Sequence, residues 1–390
     1  MTSLKGKVAV GVLTVLTALG FGMWIIQQLN GLGVTGMSNA NSWGLYIILF
    51  MFFVGLSAGG LIVASSAHVF QIESFKRIAL PAVITSTASI CVAGVFVLAD
   101  LGGIARVWQI FAGPNFVSPL LWDMCVIILY LVINVLDLVW MARGDEHRVA
   151  MLSRVALPVA ILVHSVTAWI FGLQIAKAWY TAILAPIFVA SAMDSGLALL
   201  LLILVALSTM RLMELSNELL GSLARLLAVF VAVDFFFIFC EVLTSAYPGG
   251  EHMVALSEML TGRTAPFFWF EVIAGQLIPF MILCSKRLRE SRSAVVISSI
   301  LVIMGVLCKR IWLLLTAFIH PNVSGAPGIP SGTASASMLA SPDTFSMLGS
   351  FAPTLIELCV STGVVCAGCL LFLGLYRLFN DSRPQKVAAN

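Results

Sequence analysis

Ionisable side chains in this sequence fall where the chain is otherwise apolar. Asp100 closes an apolar run of about 20 residues, the length that crosses a bilayer, and Arg106 and Trp108 follow it in ADLGGIARVW (residues 99–108). His164, Glu241, Lys309 and Arg310 lie inside other apolar runs, as does a second set of acids, Asp123, Asp137, Asp194, Asp234 and Glu357. A charge at bilayer depth costs roughly 2.5–3.5 kcal/mol on insertion scales, so each of these asks for a partner or a task. Carboxylates and an imidazole beside an apolar slot can hydrogen-bond a neutral organic molecule and take protons from it. A line of acids can pass protons across the membrane.

The elements that must position these groups are transmembrane helices. Of the 390 residues, 60% are hydrophobic and 10% charged, against roughly 25% charged in soluble domains, and the mean hydropathy is +1.06. The fold expected is an all-α polytopic membrane protein, one membrane domain over residues 1–390. It has ten spans, near 8–26, 43–69, 79–99, 119–141, 153–175, 180–208, 224–246, 265–284, 294–318 and 348–376. The first span reads as a retained anchor rather than a cleaved signal. Basic residues set the orientation. With the N-terminus cytoplasmic, sixteen of the 21 Lys and Arg fall in inner loops and tails, and only Arg106, Lys177 and Arg263 fall outside; Lys309 and Arg310 stay within a helix. Both termini are therefore expected inside, in the cytoplasmic membrane of a prokaryote. The net charge of +3 belongs to topology and gives no sign of nucleic-acid binding.

All eight cysteines lie in predicted spans, without the spacing of an iron–sulfur cluster; Cys366 and Cys369 share one apolar helix, and no disulfide framework is expected. The longest aqueous segment, His320 to about Asp343, is rich in Gly, Pro, Ser and Ala. It reads either as a flexible loop or as a rim draped over an external partner. Two further outer loops, 27–42 and 100–118, carry little charge and suit docking.

On this topology most of the expensive groups gather in the outer leaflet. Asn41 and Trp43 open the second span, Asp100 ends the third, His164 lies midway along the fifth, and Glu241 and Arg310 occupy similar depth and can pair. The deeper acids Asp194, Asp234 and Glu357, with Asp123, suggest a proton path whose inner mouth is His68; Asp137 reads as structural. Each feature also has a plainer explanation. His164 can be an interhelical donor, Asp100 and Arg106 an ion pair at the interface, and Trp43, Trp108, Trp122 and Trp179 an aromatic belt.

Four classes of function fit such a bundle. Haem needs axial ligands, and only His68 and His164 lie in the membrane, at opposite depths. A secondary transporter calls for broken helices near the midplane, for which Pro186 and Pro279 are pointers. A channel calls for rings of charge. A quinone pocket asks for an apolar slot, a few hydrogen-bond partners and titratable neighbours, which His164, Asp100, Glu241 and the outer tryptophans supply. The transporter or ion-translocating subunit remains the alternative.

Three stretches carry a family resemblance. NSWGLYIILFMFFVGLSAGG (41–60) resembles the second helix of the NrfD/PsrC family of polysulfide-reductase membrane subunits, with its Trp-Gly opening and small-residue face. ADLGGIARVW resembles that family's Asp-Leu-Gly-Arg-Pro-x-Arg-Phe-Trp segment, with Gly103 and Ile104 in place of the first Arg and the Pro. HSVTAWIFGLQIAKAWYTAILAPIFVASAMDSGLALL (164–200) is similar to its His-Thr/Ser-Val-Thr segment and Ser-Ala-x-x-Ser-Gly helix. The ten spans resemble the longer members, of the hydrogenase-2 and alternative complex III kind. The resemblance implies a subunit, itself without haem or cluster, that exchanges electrons between menaquinone or ubiquinone and a ferredoxin-like iron–sulfur subunit on the outer face. That partner in turn serves a molybdopterin-type catalytic subunit. Under this implication Asp100 accepts or relays the quinol proton and His164 hydrogen-bonds a carbonyl oxygen. Asn41 and Trp43 line the slot, with Glu241 and Arg310 nearby, and Arg106 with Trp108 holds the docking loop.

Overall fold

The computed structural model describes residues 4–38, 41–174, 177–248, 251–319 and 351–381. The outer loop expected from His320 to Asp343 lies outside them. Ten long apolar helices run α1 (Leu4–Asn30), α2 (Leu45–Val69), α3 (Ala79–Asp100), α4 (Pro119–Arg143), α5 (Glu146–Gly172), α6 (Leu184–Thr209), α7 (Asn217–Ala246), α8 (Ala265–Cys284), α9 (Arg292–Ile319) and α10 (Leu355–Asp381). Among the described residues no strand occurs. The chain is a multi-pass membrane protein, because each of these helices is long and apolar enough to cross a bilayer.

Helices α2–α5 pack as one four-helix bundle and α6–α9 as a second, joined where α2 and α5 meet α6 and where α2 meets α9. Helix α1 packs on α10, and α10 packs on α3, beside the first bundle. Lipid is as apolar as leucine, so close backbone approach, rather than hydrophobic burial, holds membrane helices together. Three glycine pairs make that approach. A Cβ on Gly59 (α2) would run into the backbone of Gly196 (α6). At Gly275 (α8) it would stand 2.6 Å from Cα of Gly305 (α9), and at Gly20 (α1) 2.6 Å from Cα of Gly363 (α10).

Several helices start elsewhere than hydropathy predicts, because polar caps extend or trim them. Asp145 accepts from the Arg148 N–H and starts α5 at Glu146, ahead of the expected 153. Ser216 accepts from the Leu219 N–H and starts α7 at Asn217 rather than 224. Helix α10 begins at Leu355 instead of 348, behind a capping box in which the Thr354 hydroxyl accepts from the Glu357 N–H and the Glu357 carboxylate from the Thr354 N–H. Helix α8 is α-helical at both ends and π-helical at Phe270–Leu277, just before Pro279. π segments are rare and concentrate at functional sites.

Candidate functional site

The face of the protein that carries Asp100 also carries the ends of α1, α2 and α10, and these bring together four polar side chains. Tyr46, fully buried in the first turn of α2, donates from its hydroxyl to Gln27 Oε1 at 2.5 Å, and Gln27 Nε2 donates to the Ala99 carbonyl at 2.8 Å. Glu357, in the first turn of α10, accepts at Oε2 from the N–H groups of Gly36 and Thr354, both at 2.9 Å. Its Oε1 and the Oδ1 of Asp100 are buried and make no hydrogen bond. The two carboxylates lie within electrostatic reach of one another and of Tyr46. Beneath this cluster α1, α3 and α10 leave an apolar crevice of about 470 Å³ whose lining reaches Ala99 and, past Asp100, Ile104.

The other predicted residues fall into separate groups. Asn41 is buried and spends its side-chain amide on the Trp43 carbonyl, at 2.7 Å. The Trp43 ring lies 6.2 Å from Trp179 and 5.5 Å from Phe171, in an aromatic cluster that continues to Phe188 and Phe318. The Trp179 Nε1–H is buried there without an acceptor. Lys177, above this cluster, has its ammonium 4.4 Å from the Phe318 ring, and burial lowers its pKa. Arg106 is exposed, with its guanidinium folded over Gly103, and makes no ion pair with Asp100. Trp108 is 60% exposed, on a loop that also exposes Phe111, Phe116 and Val117.

His164 does not present a free nitrogen. Nε2 lies 2.9 Å from the Val54 carbonyl of α2 and Nδ1 2.8 Å from the Ala160 carbonyl of its own helix. A neutral imidazole can donate to only one of the two. His164 thus ties α5 to α2, the interhelical role that was its plainer explanation.

The expected Glu241–Arg310 pair is also replaced. Arg310 is fully buried where the bundles meet; it donates to Ser191 Oγ at 2.7 Å and lies 3.9 Å from the Phe188 ring centroid, while its Nε and Nη1 lack acceptors. Glu241, half-buried, is not among its ion-pair partners. The neighbouring Lys309 instead joins Asp234 (2.9 Å) and Glu271 (3.3 Å). Gln276 donates to Asp234 at 2.6 Å and Trp312 to Glu271 at 2.5 Å, which completes a buried network across α7, α8 and α9. Asp194 lies nearby on α6, both oxygens buried without a side-chain partner. The expected line Asp194–Asp234–Glu357 is thus divided. The first two belong to the second bundle, and Glu357 stands at the Asp100 face because α10 starts late. In the first bundle Asp123 accepts from Thr167 at 2.6 Å, and Asp137 is buried with both oxygens unpartnered.

Sequence reasoning did not pick out Gln27, Tyr46, Glu271 or Gln276. Glu271 carried the same signal as Glu241, a carboxylate inside an apolar run. Gln27 and Tyr46 carried none, since a glutamine at a span end and a tyrosine in a helix are ordinary. Among the described residues no three of His, Cys, Asp and Glu converge as a metal site would require.

Ten long apolar helices among the described residues, with paired bundles, buried charge and a polar cluster at one face, define a class of integral membrane protein. The chain matches the family described as polysulphide reductase, NrfD, over residues 33–322, and it belongs to that family. It is 34% identical, over 98% of its length and 93% of the other's, to a proposed dimethyl sulfoxide reductase membrane subunit of Halobacterium salinarum. It is 25% identical to a selenate reductase subunit of Mesobacillus selenatarsenatis, over 96% of this chain and 94% of that one. It is 29% identical to an Hdr-like menaquinol oxidoreductase integral membrane subunit of Archaeoglobus fulgidus, over 80% and 79%.

Proposed function

We propose that this chain is the quinol-oxidising membrane subunit of a respiratory oxidoreductase, with the quinone head group at the Asp100 face. The observation that carries the proposal is the pair of buried carboxylate oxygens without partners, Asp100 Oδ1 and Glu357 Oε1, beside Tyr46 and Gln27 at the end of an apolar crevice. A quinol that becomes a quinone releases two electrons and two protons. Two unpartnered carboxylate acceptors match its two hydroxyl groups, and a positioned carboxylate is a competent general base. The relatives' names, two from reductases and one from a menaquinol oxidoreductase, support electron exchange with menaquinone or ubiquinone. Basic residues concentrated at the opposite face support an outward-facing Asp100. The loop with exposed Trp108, Phe111, Phe116 and Val117, and with Arg106, then offers an apolar, positively edged platform. In this reading the platform receives a ferredoxin-like iron–sulfur subunit, which takes the electrons to a molybdopterin-type catalytic subunit.

His164 acts here as a positioning residue, holding α2, and with it Tyr46, against α5. The second bundle supports a coupled task, proton movement. Acids outnumber bases in its buried network, and the unpartnered atoms of Asp194 and Arg310 leave polar positions that a water can fill.

The test is menaquinol oxidation by membranes carrying the assembled complex, wild type against Asp100→Asn. The variant keeps size and polarity but removes a base, an effect of about a hundredfold for general base catalysis. Assembly is checked by native gel. A hundredfold loss with normal assembly supports the proposal; unchanged turnover overturns it.

A further inference from the structure

The crevice and the polar cluster form one continuous surface. On α1 its lining runs Gly20, Phe21, Trp24, and Gln27 is the next residue on that face at helical spacing. On α10 the lining runs Leu371, Ala367, Val364, Val360, and Glu357 lies one turn further along the same face. On α3 it runs Cys91, Val95, Ala99, where Ala99 offers its carbonyl to Gln27 and precedes Asp100. Three helices that are apolar along the membrane interior therefore turn polar together at one level. The crevice opens between α1, α3 and α10, the outermost layer beside the first bundle, so it faces lipid. At about 470 Å³ it lies within the roughly 300–1,000 Å³ of small-molecule sites.

We propose that this crevice holds the isoprenoid tail of the quinone and is the route by which the quinone enters from the bilayer to bring its head to Asp100 and Glu357. The inference rests on the quinone reading above and adds where the molecule lies. A phospholipid chain is the competing occupant, and charge complementarity disfavours it. The groups buried at the head end are two carboxylates, an amide and a phenol, which suit a neutral, hydrogen-bonding head and repel a phosphate. A tail moved from lipid into an apolar crevice gains little hydrophobic energy, since both surroundings are equally apolar. The crevice therefore contributes direction and confinement, and the close Gly20–Gly363 contact at its back fixes its width. Filling it must act by steric exclusion, and only on quinones that have a tail.

The experiment compares saturable binding of tritiated menaquinone-4 and of tail-less 2,3-dimethyl-1,4-naphthoquinone to the full chain in lipid nanodiscs. Two variants fill the crevice, Val95→Trp and Val364→Trp, and Val12→Trp places the same bulk on an exposed part of α1 outside it. The expected result is a tenfold or greater weakening of menaquinone-4 in both crevice variants, with the tail-less quinone within twofold of wild type and Val12→Trp unchanged for both ligands. Crevice variants that bind menaquinone-4 normally overturn the proposal and leave a lipid chain as the occupant. Equal weakening of both ligands also overturns it, by showing that the head site was disturbed. Wild-type protein that binds neither quinone overturns the quinone reading itself, and this proposal with it.

Discussion

At the scale of single residues, helix phase decides which charges meet. Lys309 and Arg310 are adjacent, and neighbours one position apart on a helix do not face the same way. Lys309 therefore turns to Asp234 and Glu271 within the second bundle, and Arg310 to Ser191 and Phe188 where the bundles join. The sequence showed that both bases lie in the membrane but not which acid each would meet, because that depends on the rotation of α9 against three neighbours. Removing one side of a buried ion pair costs about 3–5 kcal/mol, since it strands the other charge. Lys309→Met should accordingly destabilise the purified protein by an amount in that range, read as a lower thermal midpoint. The double variant Lys309→Met, Asp234→Asn should recover part of the loss. A single variant as stable as wild type would show that the network does not hold the bundle.

At the scale of elements, hydropathy located every span, and each of the ten long helices overlaps an apolar run. The ends were less legible wherever a polar cap extended or shortened a helix. At α10 the signal was available in Thr354-Leu-Ile-Glu357, the pattern of a capping box ahead of an apolar run, and it accounts for Glu357 standing at the Asp100 face rather than deep in the membrane. The π-helical segment of α8 had no comparable signal beyond Pro279, because hydrogen-bond register is not written in residue type. The glycine-rich face of α2 was visible as a small-residue pattern, but its partner, Gly196, was not. Gly59→Leu would drive a side chain into the α6 backbone, an overpacking cost of about 1–3 kcal/mol or more. We expect a reduced folded yield in size-exclusion chromatography. Gly22→Leu, where an added Cβ meets nothing within 4 Å, should match wild type.

At the scale of the whole molecule, the outer polar groups expected as one site resolve into three. One is the Asp100–Glu357 cluster over its crevice, one the Trp43–Trp179 aromatic cluster, and one the buried charge network of the second bundle. Residues at similar depth on different helices need not meet, and depth was all that span position could supply. The division fits the function proposed above, a quinol at one face and proton movement in a separate bundle. The most direct measurement is photo-crosslinking of the full chain in nanodiscs with an azido-naphthoquinone, followed by peptide mapping. The prediction is labelling on segments 24–46, 95–106 and 355–364, which surround Gln27, Tyr46, Asp100 and Glu357. Labelling confined to peptides carrying Asp194, Asp234 or Glu271 would place the quinone in the second bundle and contradict the assignment.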